Sequence, residues 1–273
     1  MIEDLTPERI QRNLASTVVG RTIEQYAQTG STNDMIRQRA SAGYPEGLVI
    51  LADEQTAGRG RMGRAWAAPP GSSLLLSLLL RPAWLAAADA FSLTMLASVA
   101  LCEAVEQVAP PRAALKWPND LLLPVRTAAR TTLRKAAGIL SEIELMSDRI
   151  VWVVIGIGLN VSWSPSGVVD GRDLAEVATS VGAAAGGSVE RLPLLQALLE
   201  RLDARYDALR RGEHADLFEC WRDRLTTLGQ PVQISLPHGV LRGVAEDVER
   251  SGALRVRDEH GALHTVLAGD VGG

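Results

Sequence analysis

A glycine- and arginine-rich segment is the first place in the sequence where residue types and spacing point to chemistry. It reads Gly58-Arg59-Gly60-Arg61-Met62-Gly63-Arg64. Glycines let backbone N–H groups approach an anion closely, and guanidinium groups form bidentate contacts with phosphate or carboxylate. The segment fits the pattern GxGxxG, but Pro69-Pro70-Gly71 follows too soon for the helix that a dinucleotide-binding turn requires. We interpret it as an anion-binding loop, with a solvated surface loop as the alternative.

Two residue types are scarce enough to mark candidate positions. Only two of the 28 basic residues are lysine, and asparagine occurs four times. Arginine does not reproduce a compact ammonium group placed against one oxygen, and few side chains replace an amide that both donates and accepts. We therefore expect functional residues among these six positions. They are Lys116, Lys135, Asn13, Asn33, Asn119 and Asn160.

Three further motifs contain most of these scarce residues. Lys116-Trp117-Pro118-Asn119-Asp120 follows a predicted strand, and Pro118 turns the chain so that Asn119 and Asp120 lie at the strand end. A carboxylate there could hold Mg²⁺ together with phosphate oxygens, and an ordinary β turn is the alternative. Lys135 precedes Gly138, a residue that lets a ligand lie close to its strand. The third motif is Gly156-x-Gly158-x-Asn160.

The elements that must position these motifs form an α+β pattern. We predict a mixed-sheet core with flanking helices over residues 1–227 and a small β barrel over 228–273. We expect the arginine-rich stretch 124–134 to be a mobile surface loop. The predicted strands are 22–28, 47–53, 73–80, 113–117, 137–145, 150–162, 232–236, 240–248, 254–256 and 263–267. The predicted helices are 6–14, 35–42 and 86–108, with two or three more between 174 and 226.

Composition excludes several classes of protein. The net charge of −4 removes the simple electrostatic footprint of a nucleic-acid binder. The longest apolar stretch, 84–101, is interrupted by polar residues, and no basic-then-apolar leader opens the chain. Cys102 and Cys220 lack CxxC spacing and are interpreted as reduced thiols. We therefore expect a cytoplasmic protein that does not bind a membrane.

Taken together and in order, the motifs resemble those of biotin protein ligases. They are Ser31-Thr32-Asn33, the segment 54–66 that ends at Trp66, the Lys116 and Lys135 motifs, and Gly156-x-Gly158-x-Asn160. The resemblance spans residues 30–162 and extends more weakly into a C-terminal SH3-like barrel. It implies that biotin and ATP form biotinyl-5′-adenylate with Mg²⁺ and release pyrophosphate. The biotinyl group then passes to a lysine of a biotin carboxyl carrier domain, in a carboxylase such as acetyl-CoA carboxylase, and AMP leaves.

The resemblance also implies a role for each matching residue. Lys135 and Arg61 would be catalytic, and Asp120 would contact Mg²⁺. The residues that would bind biotin are Ser31, Thr32, Asn33, Gln55, Gly58, Arg59, Gly60, Arg61, Lys135 and Gly138. The residues that would bind the nucleotide are Arg61, Arg64, Trp66, Asn119, Asp120 and Asn160.

Two departures from the family pattern affect what is expected. The segment 121–135 is longer and richer in arginine than the brief turn usual in the family. About 30 residues precede Ser31, too few for the DNA-binding winged helix of some members, so we expect a ligase without a DNA-binding role. A lipoate-type ligase and a non-enzymatic ligand- or RNA-binding module remain alternatives. A monomer and a homodimer are both open.

Overall fold

The computed structural model describes residues 5–109, 112–127, 130–169, 171–236, 239–269 and 271–272. Short 3₁₀ turns occupy Arg61–Gly63 and Ala87–Asp89. The helices are α1 (Pro7–Gln11), α2 (Thr32–Ser41), α3 (Ser92–Val108), α4 (Leu174–Val177), α5 (Val181–Ala185), α6 (Arg191–Arg210) and α7 (His214–Arg222). The strands are β1 (Thr22–Thr29), β2 (Leu48–Gln55), β3 (Ser73–Leu80), β4 (Ala114–Lys116), β5 (Asp120–Arg126), β6 (Thr131–Met146), β7 (Arg149–Asn160), β8 (Val168–Val169), β9 (Arg172–Asp173), β10 (Pro231–Leu236), β11 (Gly239–Val248), β12 (Leu254–Asp258), β13 (Leu263–Val266) and β14 (Val271–Gly272).

A seven-stranded sheet organises the larger part of the molecule. Its strand order is β1-β2-β3-β7-β6-β5-β4. β1 and β2 are parallel and are joined through α2, whereas the other neighbours are antiparallel. The mixed-sheet core predicted from the sequence is therefore confirmed.

One face of this sheet carries the main hydrophobic core. Leu74, Leu76 and Leu78 of β3 join a buried cluster that includes the inner sides of α3 and α6, and these two helices pack against each other. The stretch Ala87–Val108 is long and apolar enough to cross a membrane by composition, but most of it is buried inside the protein. It is the central core helix of this fold.

The opposite face is only partly covered. Ile36 and Ala40 of α2 pack on the alternate side chains of β2, β3 and β7, including Leu79 and Val154. Ile155 and Ile157 of β7 belong to the main core, so Gly156 and Gly158 lie on the α2 face because strand residues alternate. Glycine thus replaces large side chains on this face under the start of α2, at Gly156, and beyond it, at Gly158.

The C-terminal strands form a second sheet that packs on the first part of the chain. Five antiparallel strands follow the order β13-β12-β11-β10-β14. Val232 and Ile234 of β10 belong to the same buried cluster as the main core. The indole Nε1 of Trp117 donates to the carbonyl of Gly252 at 2.8 Å. The turn that contains Asn119 and Asp120 is therefore supported from behind by this sheet.

The prediction of a loop over residues 124–134 is wrong. β5 and β6 form an antiparallel hairpin there, with Pro124 opposite Leu133 and Arg126 opposite Thr131. The carbonyl of Arg130 accepts from Thr127 N at 2.9 Å beside the tip, and residues 128–129 lie outside the described ranges. Val125, Thr131 and Thr132 favour extended backbone and outweigh the presence of one proline.

Four helix predictions also need correction. α1 ends at Gln11 rather than at residue 14, and the region 86–108 begins with a 3₁₀ turn before α3. α2 begins at Thr32, three residues before the predicted start. Four α-helices, α4 to α7, lie in the described residues between 174 and 226, where we predicted two or three.

A buried carboxylate on α6 holds the segment before β1. Asp203 accepts from the backbone nitrogens of Thr17 at 2.7 Å and of Val18 and Val19 at 2.8 Å. It also accepts from the Thr17 hydroxyl at 3.1 Å. Donors that lose a buried acceptor keep their desolvation cost, so this one side chain anchors the chain entry to the sheet.

We expect Asp203→Asn to lower the free energy of unfolding by about 2 kcal/mol, because one acceptor oxygen becomes an NH₂ group that faces N–H donors. Urea denaturation measures this change. Asp207→Asn, one turn along α6 and paired with Arg211 at the surface, is the control and should cost at most about 0.5 kcal/mol. Equal losses in the two variants would contradict the anchoring role.

Candidate functional site

The N-terminus of α2 forms the first wall of the site. Gln55 Oε1, at the end of β2, accepts from the backbone nitrogen of Thr32 at 2.8 Å and from its hydroxyl at 3.1 Å. Ser31 is the N-cap residue, is buried, and makes no capping hydrogen bond through its hydroxyl within the described part of the chain. Ser31, Thr32 and Gln55 therefore bring neutral donors and acceptors together beside a helix N-terminus.

Asn33 faces the sheet rather than the solvent. Its Oδ1 accepts from Ser77 Oγ at 2.6 Å, and the same Oγ lies 2.7 Å from Thr32 Oγ1. Its Nδ2 donates to Glu142 Oε2 at 3.1 Å. A Cβ atom at Gly156 would overlap Asn33 Oδ1, so the first glycine of the Gly156 motif makes room for this amide. The Asn33 amide is thus engaged with protein groups and fixes the start of α2 on the sheet.

The glycine-rich loop folds back on itself as a finger. Trp66 N donates to Gly58 O at 2.9 Å and Gly60 N to Arg64 O at 2.6 Å, which closes the base of the finger. A Cβ atom at Gly58 would overlap the Trp66 carbonyl oxygen. Met62 and Gly63 adopt positive φ angles of 55° and 73° at the tip. The loop has a defined closed shape that depends on its glycines.

Two arginines of this loop point to different partners. Arg59 Nη2 lies 2.5 Å from Asp34 Oδ1 and 3.5 Å from Glu142 Oε1. Arg61 Nη1 donates to Asn119 Oδ1 at 3.3 Å. Burial lowers the pKa of the Arg61 guanidinium, and attraction to Asp120 opposes that shift. Arg59 is therefore held by carboxylates, whereas Arg61 reaches the turn that follows β4.

Both lysines of the chain lie near the carboxylate that follows this turn, Asp120. Lys135 Nζ lies 2.7 Å from Asp120 Oδ1, and Lys116 pairs with Asp120 in the β4–β5 register. Burial lowers the pKa of Lys116; attraction to Asp120 opposes this shift, and repulsion from Arg172, Lys135 and Arg64 adds to it. Positive charges outnumber the carboxylate, so the arrangement favours a bound anion.

Trp66 covers the floor of the site. Gly138 of β6 and Gly158 of β7 are opposite each other in the ladder. A Cβ atom at Gly158 would lie 2.5 Å from Trp66 Cε2, and one at Gly138 would lie 3.2 Å from Trp66 Cζ3. Lys135 Nζ lies 5.6 Å from the centroid of the Trp66 ring. The paired glycines therefore allow a flat group to lie directly on the backbone of the sheet.

Asn160 borders the same site at the end of β7. Its Nδ2 donates to Thr179 O at 3.0 Å, while Thr179 N donates to Lys135 O at 2.8 Å. Its Oδ1 is buried and has no hydrogen-bond partner among the residues that the structure describes. A buried acceptor without a partner is costly, so this oxygen is suited to a ligand donor.

The site offers few side chains that could hold a metal ion. No group of three or more His, Cys, Asp or Glu side chains within the described ranges is placed to hold one. Asp120 offers a single carboxylate, already paired with Lys135. This fits Mg²⁺ that keeps phosphate and water oxygens as most of its ligands, a common mode for this ion.

Comparison with known proteins decides the family. Residues 26–160 match the biotin/lipoate A/B protein ligase family, and residues 227–271 match the biotin protein ligase C-terminal domain. The biotin--[acetyl-CoA-carboxylase] ligase of Mycobacterium tuberculosis is 36% identical over 98% of this chain and 96% of its own length. The chain belongs to the biotin protein ligase family. The bifunctional ligase/repressor BirA of Bacillus subtilis is 31% identical over 98% of this chain and 78% of its own length.

A solved biotin protein ligase has the same fold. The enzyme from Aquifex aeolicus in complex with biotin and ATP superposes with a TM-score of 0.73 at 23% identity, over 92% of this chain and 98% of that chain. The resemblance seen in the motifs and the α+β architecture, with its C-terminal SH3-like domain, are thereby confirmed. The ligand-binding role that the family resemblance implies for each residue of this chain stays a prediction.

The structure adds residues that the sequence did not single out. Ser77, Glu142 and Asp34 hold the motif residues Asn33 and Arg59. Lys116, which scarcity marked without assigning a role, joins the cations around Asp120. Glu142 is four residues after Gly138, so both lie on one face of the strand. This spacing is the feature of the sequence that could have pointed to Glu142.

We expect Gly158→Ala to displace the Trp66 ring, because the added methyl group would lie 2.5 Å from Cε2. Acrylamide quenching of tryptophan fluorescence should increase. The increase should disappear when the same change is made in a Trp66→Phe background. Gly187→Ala, where an added Cβ meets no atom within 4 Å, is the control. An increase that persists without Trp66 would contradict this contact.

Proposed function

We propose that the chain catalyses the ATP-dependent biotinylation of a lysine on a biotin carboxyl carrier protein or domain. The observation that supports it most directly is the cation group around Asp120, which adjoins the polar α2 pocket across a floor of paired glycines. The M. tuberculosis relative is named for acetyl-CoA carboxylase, and we propose the carrier domain of a carboxylase as the partner.

Biotin would lie between the start of α2 and Lys135. A ureido ring offers two donors and one carbonyl acceptor, and the neutral groups of Ser31, Thr32 and Gln55 match such a ligand. The valerate chain would pass beside Gly138, on the face of the sheet that the Trp66 ring covers. Lys135 would then contact the carboxylate, so the two ends of the ligand reach the two ends of the site.

The first reaction needs two anions to meet. A carboxylate oxygen of biotin attacks the α-phosphorus of ATP, the new C–O–P bond forms, and the bond from that phosphorus to the bridging oxygen breaks as pyrophosphate leaves. Lys135 and Arg61 would offset the repulsion and the charge that gathers at the phosphorus. Mg²⁺ bound at Asp120 would supply further neutralisation of the phosphates.

The nucleotide would occupy the side of the site away from α2. Arg64 and Trp66 of the loop, Asn119 of the turn and Asn160 of β7 surround this region. The unpartnered Oδ1 of Asn160 offers an acceptor to a ribose or base donor. Lys116 adds a positive charge beside Asp120.

The second reaction transfers the biotinyl group. The neutral ε-amine of the acceptor lysine attacks the carbonyl carbon of the mixed anhydride and an amide bond forms. AMP leaves with the electron pair of the broken C–O bond, and the amine nitrogen releases one proton to solvent. A closed glycine-rich loop would keep water away from this anhydride until the acceptor arrives.

The other predictions about the molecule remain proposals. Residues 1–227 would form the catalytic domain and 228–273 the C-terminal domain, in agreement with a second sheet that begins at Pro231. The net charge of −4 and the burial of α3 support a cytoplasmic protein that binds neither DNA nor a membrane. A monomer and a homodimer are both compatible with the site. The lipoate-type ligase and binding-module alternatives are not favoured, because the named relatives are biotin ligases.

The function is tested with the purified protein, biotin, Mg·ATP and a biotin carrier domain, with lipoate as a parallel acid. We expect biotin-dependent pyrophosphate release and a mass gain at one acceptor lysine. Pyrophosphate without acceptor labelling would support adenylation and reject the chosen partner. Labelling with lipoate alone would reject the proposed substrate, and the absence of both signals would reject the proposed activity.

We expect Arg61→Gly to retain some synthesis of biotinyl adenylate but to hold the product poorly, because the contact from the loop to Asn119 is lost. The release rate of the adenylate from preloaded enzyme should rise about tenfold or more. Arg130→Gly, at the exposed end of the β5–β6 hairpin, is the control and should retain the adenylate normally. Unchanged retention in Arg61→Gly would contradict the role of this side chain.

A further inference from the structure

Glu142 is not among the predicted site residues, yet it contacts both the start of α2 and the glycine-rich loop. It is on β6, where its Oε2 accepts from Asn33 Nδ2 at 3.1 Å. Its Oε1 lies 3.5 Å from Arg59 Nη2. One carboxylate therefore joins the start of α2, the glycine-rich loop and the sheet.

The strand register places this carboxylate on the ligand face. Gly138, Leu140 and Glu142 are two residues apart along β6 and share one face of the sheet. Ser141, between them, faces the other side, because its Oγ lies 2.9 Å from Thr94 Oγ1 of α3. Glu142 thus continues the row that starts with the floor glycine.

A second carboxylate completes the contact. Asp34, in the first turn of α2, lies 2.5 Å from Arg59 Nη2 and also pairs with Arg37. The Arg59 guanidinium is therefore contacted by Glu142 from the sheet and by Asp34 from the helix. We call Arg59, Asp34 and Glu142 the clasp.

The clasp lies at the base of the loop and not at its tip. Arg59 is next to Gly58, whose carbonyl accepts from Trp66 N. Further along the loop, Arg61 reaches Asn119 and Trp66 lies over Gly138 and Gly158. Fixing Arg59 limits where the rest of the loop can go. The Arg59 side chain is 40% exposed and the Glu142 side chain 26% exposed, so each ionic contact is weak alone. The hydrogen bond from Asn33 helps to fix the position of the Glu142 carboxylate.

We propose that Glu142, assisted by Asp34, is a positioning residue that holds the glycine-rich loop closed through Arg59. The expected consequence, retention of the acyl-adenylate, rests on the proposed function. Glu142 does not touch the reacting atoms. It couples loop closure to the same amide that fixes the start of α2, so a filled biotin pocket and a closed loop favour each other.

The test compares Glu142→Gln with Glu144→Gln. Glutamine at 142 keeps an oxygen for Asn33 and removes the charge that attracts Arg59. Glu144 is two residues along the same strand face, is exposed, and lies outside the clasp, so its variant controls for charge on this face. Melting temperatures of all three proteins establish that each is folded.

Two readouts report on the loop. In the protein without substrates, trypsin cleavage after Arg59, Arg61 or Arg64 is followed by mass spectrometry. In protein loaded with biotin and Mg·ATP, the release rate of biotinyl adenylate is measured. We expect Glu142→Gln to raise both rates about three- to tenfold, as loss of a weak ionic contact allows. The initial rate of pyrophosphate formation at saturating substrates should stay within about twofold.

The outcomes separate the clasp from the proposed function. Unchanged cleavage in folded Glu142→Gln protein overturns the clasp. Faster cleavage with unchanged adenylate release overturns its role in retention. A wild-type protein that forms no adenylate rejects the proposed function, and faster loop cleavage in Glu142→Gln would still support the clasp. Equal effects in Glu144→Gln would assign the change to surface charge and overturn the proposal.

Discussion

The absence of side chains at three glycines on one sheet face is the constraint on which the rest of the structure depends. Gly156 leaves room for the Asn33 amide, and Gly138 and Gly158 together leave room for the Trp66 ring. The opposite face of the same strands is filled by the core that includes α3 and α6. Because most of the buried apolar residues lie on that face, the part of the other face that α2 does not cover can be polar without loss of the fold.

Electrostatics divides the open face into two parts. Near α2, the charge of Arg59 is compensated by Asp34 and Glu142. Near the β4–β5 turn, Lys116, Lys135, Arg61 and Arg64 surround the single carboxylate of Asp120. Cations that repel one another at short range raise the energy of the empty site, so an anionic ligand relieves that cost. The chain can therefore be acidic overall and still attract two anions, because attraction is set locally.

The sequence singled out motif residues that the structure brings together, and their ligand-binding roles stay predictions, whereas it did not single out the contacts that support them. β3 was predicted at its observed bounds because its eight residues contain no breaker. The two scarce lysines were marked because arginine does not reproduce an ammonium group, and both lie near Asp120. The start of α2 was placed too late because Ser31 and Thr32 both suit a helix start. The β5–β6 hairpin was missed because Pro124 and three arginines suggest a loop. Glu142 was missed because a glutamate on an alternating strand is ordinarily solvated.

The C-terminal sheet also contributes to the site, although none of its residues was predicted to bind a ligand. Trp117 lies between the two sheets, where its backbone nitrogen donates to Thr227 Oγ1 at 2.9 Å and its indole donates to Gly252 O at 2.8 Å. Lys116 and Asn119 lie on either side of this buried residue in the sequence. A turn that must hold several like charges close together needs such fixed support, since repulsion would otherwise spread them apart. The second sheet therefore acts as the rigid backing of the charged half of the site.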